Sequence, residues 1–131
     1  MKREVVNLKV SFKQPPFSHA IKANGLIFCS GQIPIDVETG NPTGGDIRAQ
    51  TRQVLENLRK VLTAAGSSLE KTVKTTVFMT DLNQFQAMNE VYRQFFPKDP
   101  PARSTVQVSS LAMGASIEIE LVALEWDEQK I

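Results

Sequence analysis

One histidine, one cysteine, one tryptophan and one tyrosine occur in 131 residues. His19 and Cys29 cannot by themselves assemble the usual zinc ligand sets, so no metal site is expected, and a cysteine–histidine dyad has no supporting signal. A lone cysteine allows no disulfide within the chain, which suits a reducing compartment. Within Leu26-Ile27-Phe28-Cys29 it reads as a small buried apolar residue. Charge of either sign is not in excess. The 15 lysines and arginines face 14 aspartates and glutamates, with no basic run, so no nucleic-acid surface is expected. No apolar run approaches membrane-spanning length, and residues 1–7 lack the apolar stretch of a secretion signal. The expectation is a cytoplasmic protein with no membrane partner. A glycine-rich phosphate loop with its lysine is missing too; Thr43-Gly44-Gly45-Asp46 reads as a turn and a helix cap.

What is present is enough for a single domain over residues 1–131, with 41% apolar residues to fill a core. Residues 4–9 read as a short strand, broken by Gln14-Pro15-Pro16. Residues 17–22 and 25–30 read as two strands around an Asn24-Gly25 hairpin turn. Gly31-Gln32-Ile33-Pro34-Ile35 then leaves the sheet for a loop over 36–45. Ile47, Val54, Leu55, Leu58, Val61, Leu62 and Ala65 recur at helical spacing, with Asp46 as cap and Gly66 as stop. The charges off that stripe (Arg48, Arg52, Glu56, Arg59, Lys60) read as a solvated face.

Residues 71–80 form a strand with Val73, Thr75, Val77 and Met79 on one face and Lys74, Thr76 and Phe78 on the other. A second helix follows, with Asn83 and Gln86 as a capping box and Phe85, Met88, Val91, Tyr92 and Phe95 as its apolar stripe, ended by Pro97. Two final strands lie within 100–126, and 127–131 reads as a frayed tail. The order β-β-β-α-β-α-β-β predicts an α+β fold with both helices on one face of a five- or six-stranded sheet. The other face carries Phe78, Val122 and Leu124 among polar residues, which predicts self-association.

Chemistry is concentrated in the last third. Arg103 opens one strand, and Glu118 and Glu120 sit in the other on the same face as Val122 and Leu124. Two readings stand for these charges. They are rim charges that keep an edge strand from aggregating, or an arginine fork for a carboxylate and a glutamate whose apolar setting raises its pKa for proton transfer. His19 reads as structural, with a part in chemistry left open. A simple hairpin through residues 111–115 would pair Gln107 with Glu118 and Val122 with Arg103. Arg103 and Glu118 would then stand roughly 13 Å apart at ~3.3 Å per residue. That separation favours convergence across a subunit interface over a site within one chain.

Pro101-Ala102-Arg103-Ser104, followed by Val106, Ser109, Leu111 and Ile117-Glu118-Ile119, resembles the C-terminal signature of the Rid (reactive intermediate deaminase, YjgF-like) family. Ser30-Gly31-Gln32-Ile33-Pro34, Val73-Lys74-Thr75-Thr76-Val77-Phe78, Asp81-Leu82-Asn83 and the pair Asn89 and Tyr92 match further motifs in order. The resemblance implies a chorismate-mutase-like homotrimer that hydrolyses 2-aminoacrylate-type enamines and imines to 2-keto acids and ammonia, without a cofactor. It implies that Arg103 binds the substrate carboxylate and that Glu118 positions or activates water. Phe17, Ser30, Gly31, Ile33, Asn89 and Thr105 would line the intersubunit cleft. Three positions depart from the family pattern: Phe17 stands for a tyrosine, His19 for a glutamine and Thr105 for a frequent cysteine. A non-catalytic module binding small acids or a protein partner, and more remotely a ribonuclease, are the alternatives.

Overall fold

A computed structural model describes residues 2–125; the tail over 127–131 lies outside them. Six strands form one mixed sheet: β1 (Glu4–Val6), β2 (Ala20–Ala23), β3 (Leu26–Gln32), β4 (Thr72–Met79), β5 (Ala102–Gln107) and β6 (Ile117–Leu124). Their spatial order is β1-β2-β3-β6-β4-β5, antiparallel throughout except for the parallel pair β4–β5. Helices α1 (Ile47–Ala64) and α2 (Phe85–Phe95) pack together on one face. The expected α+β architecture, with two helices on one side of a mixed sheet, is what the chain adopts.

The local signals explain most of the elements. Asn24 and Gly25 both take positive φ, 54° and 80°, as the tight turn from Ala23 to Leu26 demands. Asp46 accepts a hydrogen bond from Ala49 N at 2.9 Å and starts α1. Every residue of the α1 stripe is buried, and Leu55, Leu58 and Leu62 are fully so. Burying a side chain of that size contributes ~1.5–3 kcal/mol. Along β6 the alternation is strict: Ile117, Ile119, Leu121 and Ala123 face the helices, while Glu118, Glu120, Val122 and Leu124 face away.

Several expectations are corrected. β1 and β2 are shorter than the sequence suggests, and β3 runs on through Gly31 and Gln32 because an irregularity between Cys29 and Gln32 lets it stay paired with β6. A bulge between Thr72 and Lys74 shifts the alternation of β4, so Thr72 turns inward and Val73 stands 40% exposed. The capping box of α2 does not form. Asp81 instead accepts from Asn83 N and caps a short 3-10 turn that leads into the helix. The α1 charges are not simply solvated, since Arg48 pairs with Glu90 of α2 at 2.9 Å and Arg59 lies over the Phe95 ring at 4.9 Å.

The largest correction concerns the last two strands. β5 and β6 are not a hairpin. The β4–α2–β5 unit lays β5 parallel to β4 at the sheet edge, and β6 returns between β3 and β4. Each strand goes where its side chains can be satisfied. β6 has a fully apolar inner face and occupies a central position, whereas β5, with Ser104, Thr105 and Gln107, takes the edge.

Candidate functional site

Within one chain, β4 separates Arg103 from Glu118. Arg103 pairs with Thr75 and Glu118 with Phe78, so two strand spacings and three residues lie between them, roughly 14 Å. They also lie on opposite faces. Thr75 is buried under the helices, and Arg103 shares its side; Glu118 faces away. The expected shared site does not close within one subunit.

Glu118 stands at a cavity of about 400 Å³ lined by Phe17, Gly31, Ile33, Met113 and other apolar side chains, with His19 and Gln32 as the buried polar residues in its wall. Gly31 lies against the Glu118 carboxyl so closely that a Cβ there would overlap it. Burial raises the Glu118 pKa above its ordinary 4.5, and the neighbouring Glu120 charge raises it further. A carboxyl whose protonated form is favoured in this way is suited to take up and return a proton during a reaction.

Loops shape this cavity, and buried polar side chains hold the loops. Asn57, fully buried on α1, donates to the carbonyls of Ile33 (3.3 Å) and Ile35 (2.9 Å). Gln50 accepts from Ser116 N at 2.9 Å, just before β6, and donates to Gly45 O. Gln14 donates to the carbonyl of Phe17. The sequence reading passed over Gln50 and Asn57. Their signal was two polar residues, Gln50 and Asn57, at helical spacing with Val54 and Val61 on the apolar stripe. Ser30 is placed differently from the expectation: its hydroxyl donates to Ser18 O at 2.6 Å, and it borders a neighbouring groove behind Phe17.

Arg103 belongs to a second cluster. Its guanidinium lies over Tyr92 at 4.7 Å and Phe85 at 5.4 Å, and Tyr92 is in turn bonded to the Thr75 hydroxyl at 2.8 Å. Burial raises the Tyr92 pKa, an effect offset in part by its bonds to Thr75 and Arg103 and by the Arg103 charge. The phenol is therefore a neutral platform under the arginine. Thr105 follows two residues along the same face of β5, and Asn89 is half-buried on α2 between Phe85 and Tyr92. Of the residues expected at the cleft, Phe17, Gly31, Ile33 and Glu118 therefore meet in one cavity, and Arg103, Thr105 and Asn89 gather at the other edge. Cys29 is buried with its thiol pushed up to about 12, an unreactive form. Among the described residues no three His, Cys, Asp or Glu side chains cluster as a metal site, and no helix is long and apolar enough to cross a membrane.

Residues 11–125 match the family model described as Endoribonuclease L-PSP. A RutC family protein of Pyrococcus horikoshii is 52% identical over 108 residues, covering 82% of this chain and 86% of the relative. Reactive Intermediate Deaminase A of Arabidopsis thaliana, a chloroplastic protein, is 44% identical over 124 residues, covering 94% of this chain and 66% of its own. The crystal structure of Escherichia coli TdcF with bound serine superposes with a TM-score of 0.85 at 36% identity, covering 94% of this chain and 99% of that one. The chain belongs to the Rid family, also called YjgF/RutC.

Proposed function

We propose that the protein is a homotrimeric deaminase, of the 2-iminobutanoate/2-iminopropanoate type, that hydrolyses reactive enamines and imines to 2-keto acids and ammonia. The observation that carries this reading is the Glu118 carboxyl, its pKa raised, seated on Gly31 in an apolar cavity. The Arg103 fork lies on the opposite face, so a complete site takes Glu118 from one subunit and Arg103, with Asn89 and Thr105, from a neighbour. The outer sheet face offers the contact surface: Phe28, Val106 and Leu124 are each more than 40% exposed there. The name of the Arabidopsis relative and the serine held by TdcF both agree with a small amino-acid-derived substrate. The balanced charge gives a polyanion such as RNA little to follow. A cytoplasmic setting completes the reading.

Arg103 holds the substrate carboxylate. Glu118 takes a proton from water as its oxygen bonds to the iminium carbon and the C=N π electrons move to nitrogen. The protonated Glu118 then passes that proton to the amine of the carbinolamine. The C–N bond breaks as Glu118 accepts the hydroxyl proton and the C=O forms, and Glu118 gives that proton to the departing ammonia, which leaves as ammonium and restores the carboxylate. Water and the substrate supply every atom, so the step calls for no cofactor.

The test is an assay in which a dehydratase generates enamines from serine, threonine or bulkier amino acids, with their decay followed with and without the protein. Faster ammonia release is expected; no acceleration for any of them would leave a binding module. Light scattering at micromolar concentration should report about three times the 14.5 kDa chain mass. A monodisperse monomer would remove the shared cleft.

A further inference from the structure

His19 stands where the family pattern usually has glutamine, and its surroundings define its protonation state. Its Nδ1 accepts from Leu8 N at 2.9 Å. A backbone N–H can only donate, so this nitrogen carries the lone pair and the proton of the neutral ring is on Nε2. The residue is pinned on both sides: its own N–H donates to Asn7 Oδ1 at 2.9 Å, and its carbonyl accepts from Ser30 N at 3.0 Å. Burial lowers its pKa, which favours the neutral ring. Nε2 makes no hydrogen bond among the described residues. The residue is only 4% exposed, yet it lines the Glu118 cavity. Ser30, its backbone partner, is followed directly by Gly31, on which the Glu118 carboxyl sits.

A donor without a protein partner, on a residue that lines an apolar cavity and not itself sealed from it, is open to an acceptor from a ligand or water. We propose that His19 is a ligand contact whose Nε2–H donates to the oxygen added at C2, first the attacking water and then the carbonyl oxygen of the 2-keto acid. A donor cannot pair with the iminium N–H, so oxygen is the partner its chemistry selects. Glutamine would satisfy the same two demands, its carbonyl taking the Leu8 N–H and its amide donating into the cavity. This assignment rests on the deaminase reading for the water step, whereas the contact to product oxygen is separable from turnover.

Calorimetry would compare pyruvate with propanoate, which lacks the C2 oxygen, on wild type, His19→Gln and His19→Met. Loss of one neutral hydrogen bond is worth about tenfold. The preference for pyruvate over propanoate should therefore fall about tenfold in His19→Met and be retained in His19→Gln. Equal weakening of both ligands, or the same loss in both variants, overturns the proposal in favour of a purely structural His19. Because this is the chain's single histidine, ¹⁵N-histidine labelling of the wild type needs no variant to fold. Pyruvate should shift the Nε2 resonance while Nδ1 keeps its acceptor character, and no shift at saturation overturns the contact. Failure of the enamine assay alongside a pyruvate-dependent Nε2 shift would reject the deaminase and keep the His19 contact.

Discussion

Glu118→Gln should lower kcat/KM for imine hydrolysis by at least about a hundredfold, within the range that a positioned general base supplies. Pyruvate binding should change little, because the carboxamide keeps the size of the group resting on Gly31. The same substitution should stabilise the fold at neutral pH. Glu118 has a raised pKa in the folded state and its ordinary value of 4.5 when unfolded. At pH 7 the unfolded chain carries a freely solvated carboxylate, and the folded state bears the cost of burying that group and of the Glu120 charge beside it. The melting temperature of Glu118→Gln should therefore exceed that of wild type at pH 7. The gain should shrink as pH falls through the folded pKa and vanish below 4.5. A variant that keeps full activity removes Glu118 from the chemistry. One that is inactive and less stable at pH 7 makes it a structural residue.

Arg103→Ala should be comparably damaging to catalysis. Two charge-assisted hydrogen bonds to a carboxylate contribute roughly 1.5–3 kcal/mol each, and every ~1.4 kcal/mol is a factor of ten in rate. A loss of at least about a hundredfold is expected, and Arg103→Lys should also be badly impaired because an ammonium has no fork. Stability should fall only modestly. The contacts over Tyr92 and Phe85 are of a kind worth ~0.5–1 kcal/mol each at exposed sites. The decisive measurement is complementation. Co-expressed Arg103→Ala and Glu118→Gln subunits, each inactive alone, should assemble at random into trimers in which roughly a quarter of all clefts combine both intact residues. Recovered activity places the two groups on different chains. No recovery from confirmed mixed trimers rejects the shared site.

Much of this molecule was legible in local pattern. The apolar stripe of α1, its Asp46 cap and the Asn24-Gly25 turn each involve residues within a few positions of one another. Their geometry follows from helical periodicity and backbone sterics. The outward placement of Glu118 and Glu120 was legible for the same reason, because alternation along β6 leaves no other face for them once Ile117 and Ile119 are buried. The bulge at Thr72 shows the limit of that rule: one extra residue reverses the alternation, and nothing in Thr72-Val73-Lys74 marks it.

The amino-acid sequence by itself determined the elements, their order, the inner and outer faces of β6, and the residues that match the Rid motifs. Tertiary structure alone decided which strands lie side by side, since pairing depends on partners distant in the chain and the same alternation suits several sheet orders. Placing β6 between β3 and β4 brought Glu118 against Gly31, from residues 87 positions apart in number only by what separates two neighbouring strands in space. The same placement put β4 between Glu118 and Arg103 and set them on opposite faces, so that no single chain joins them.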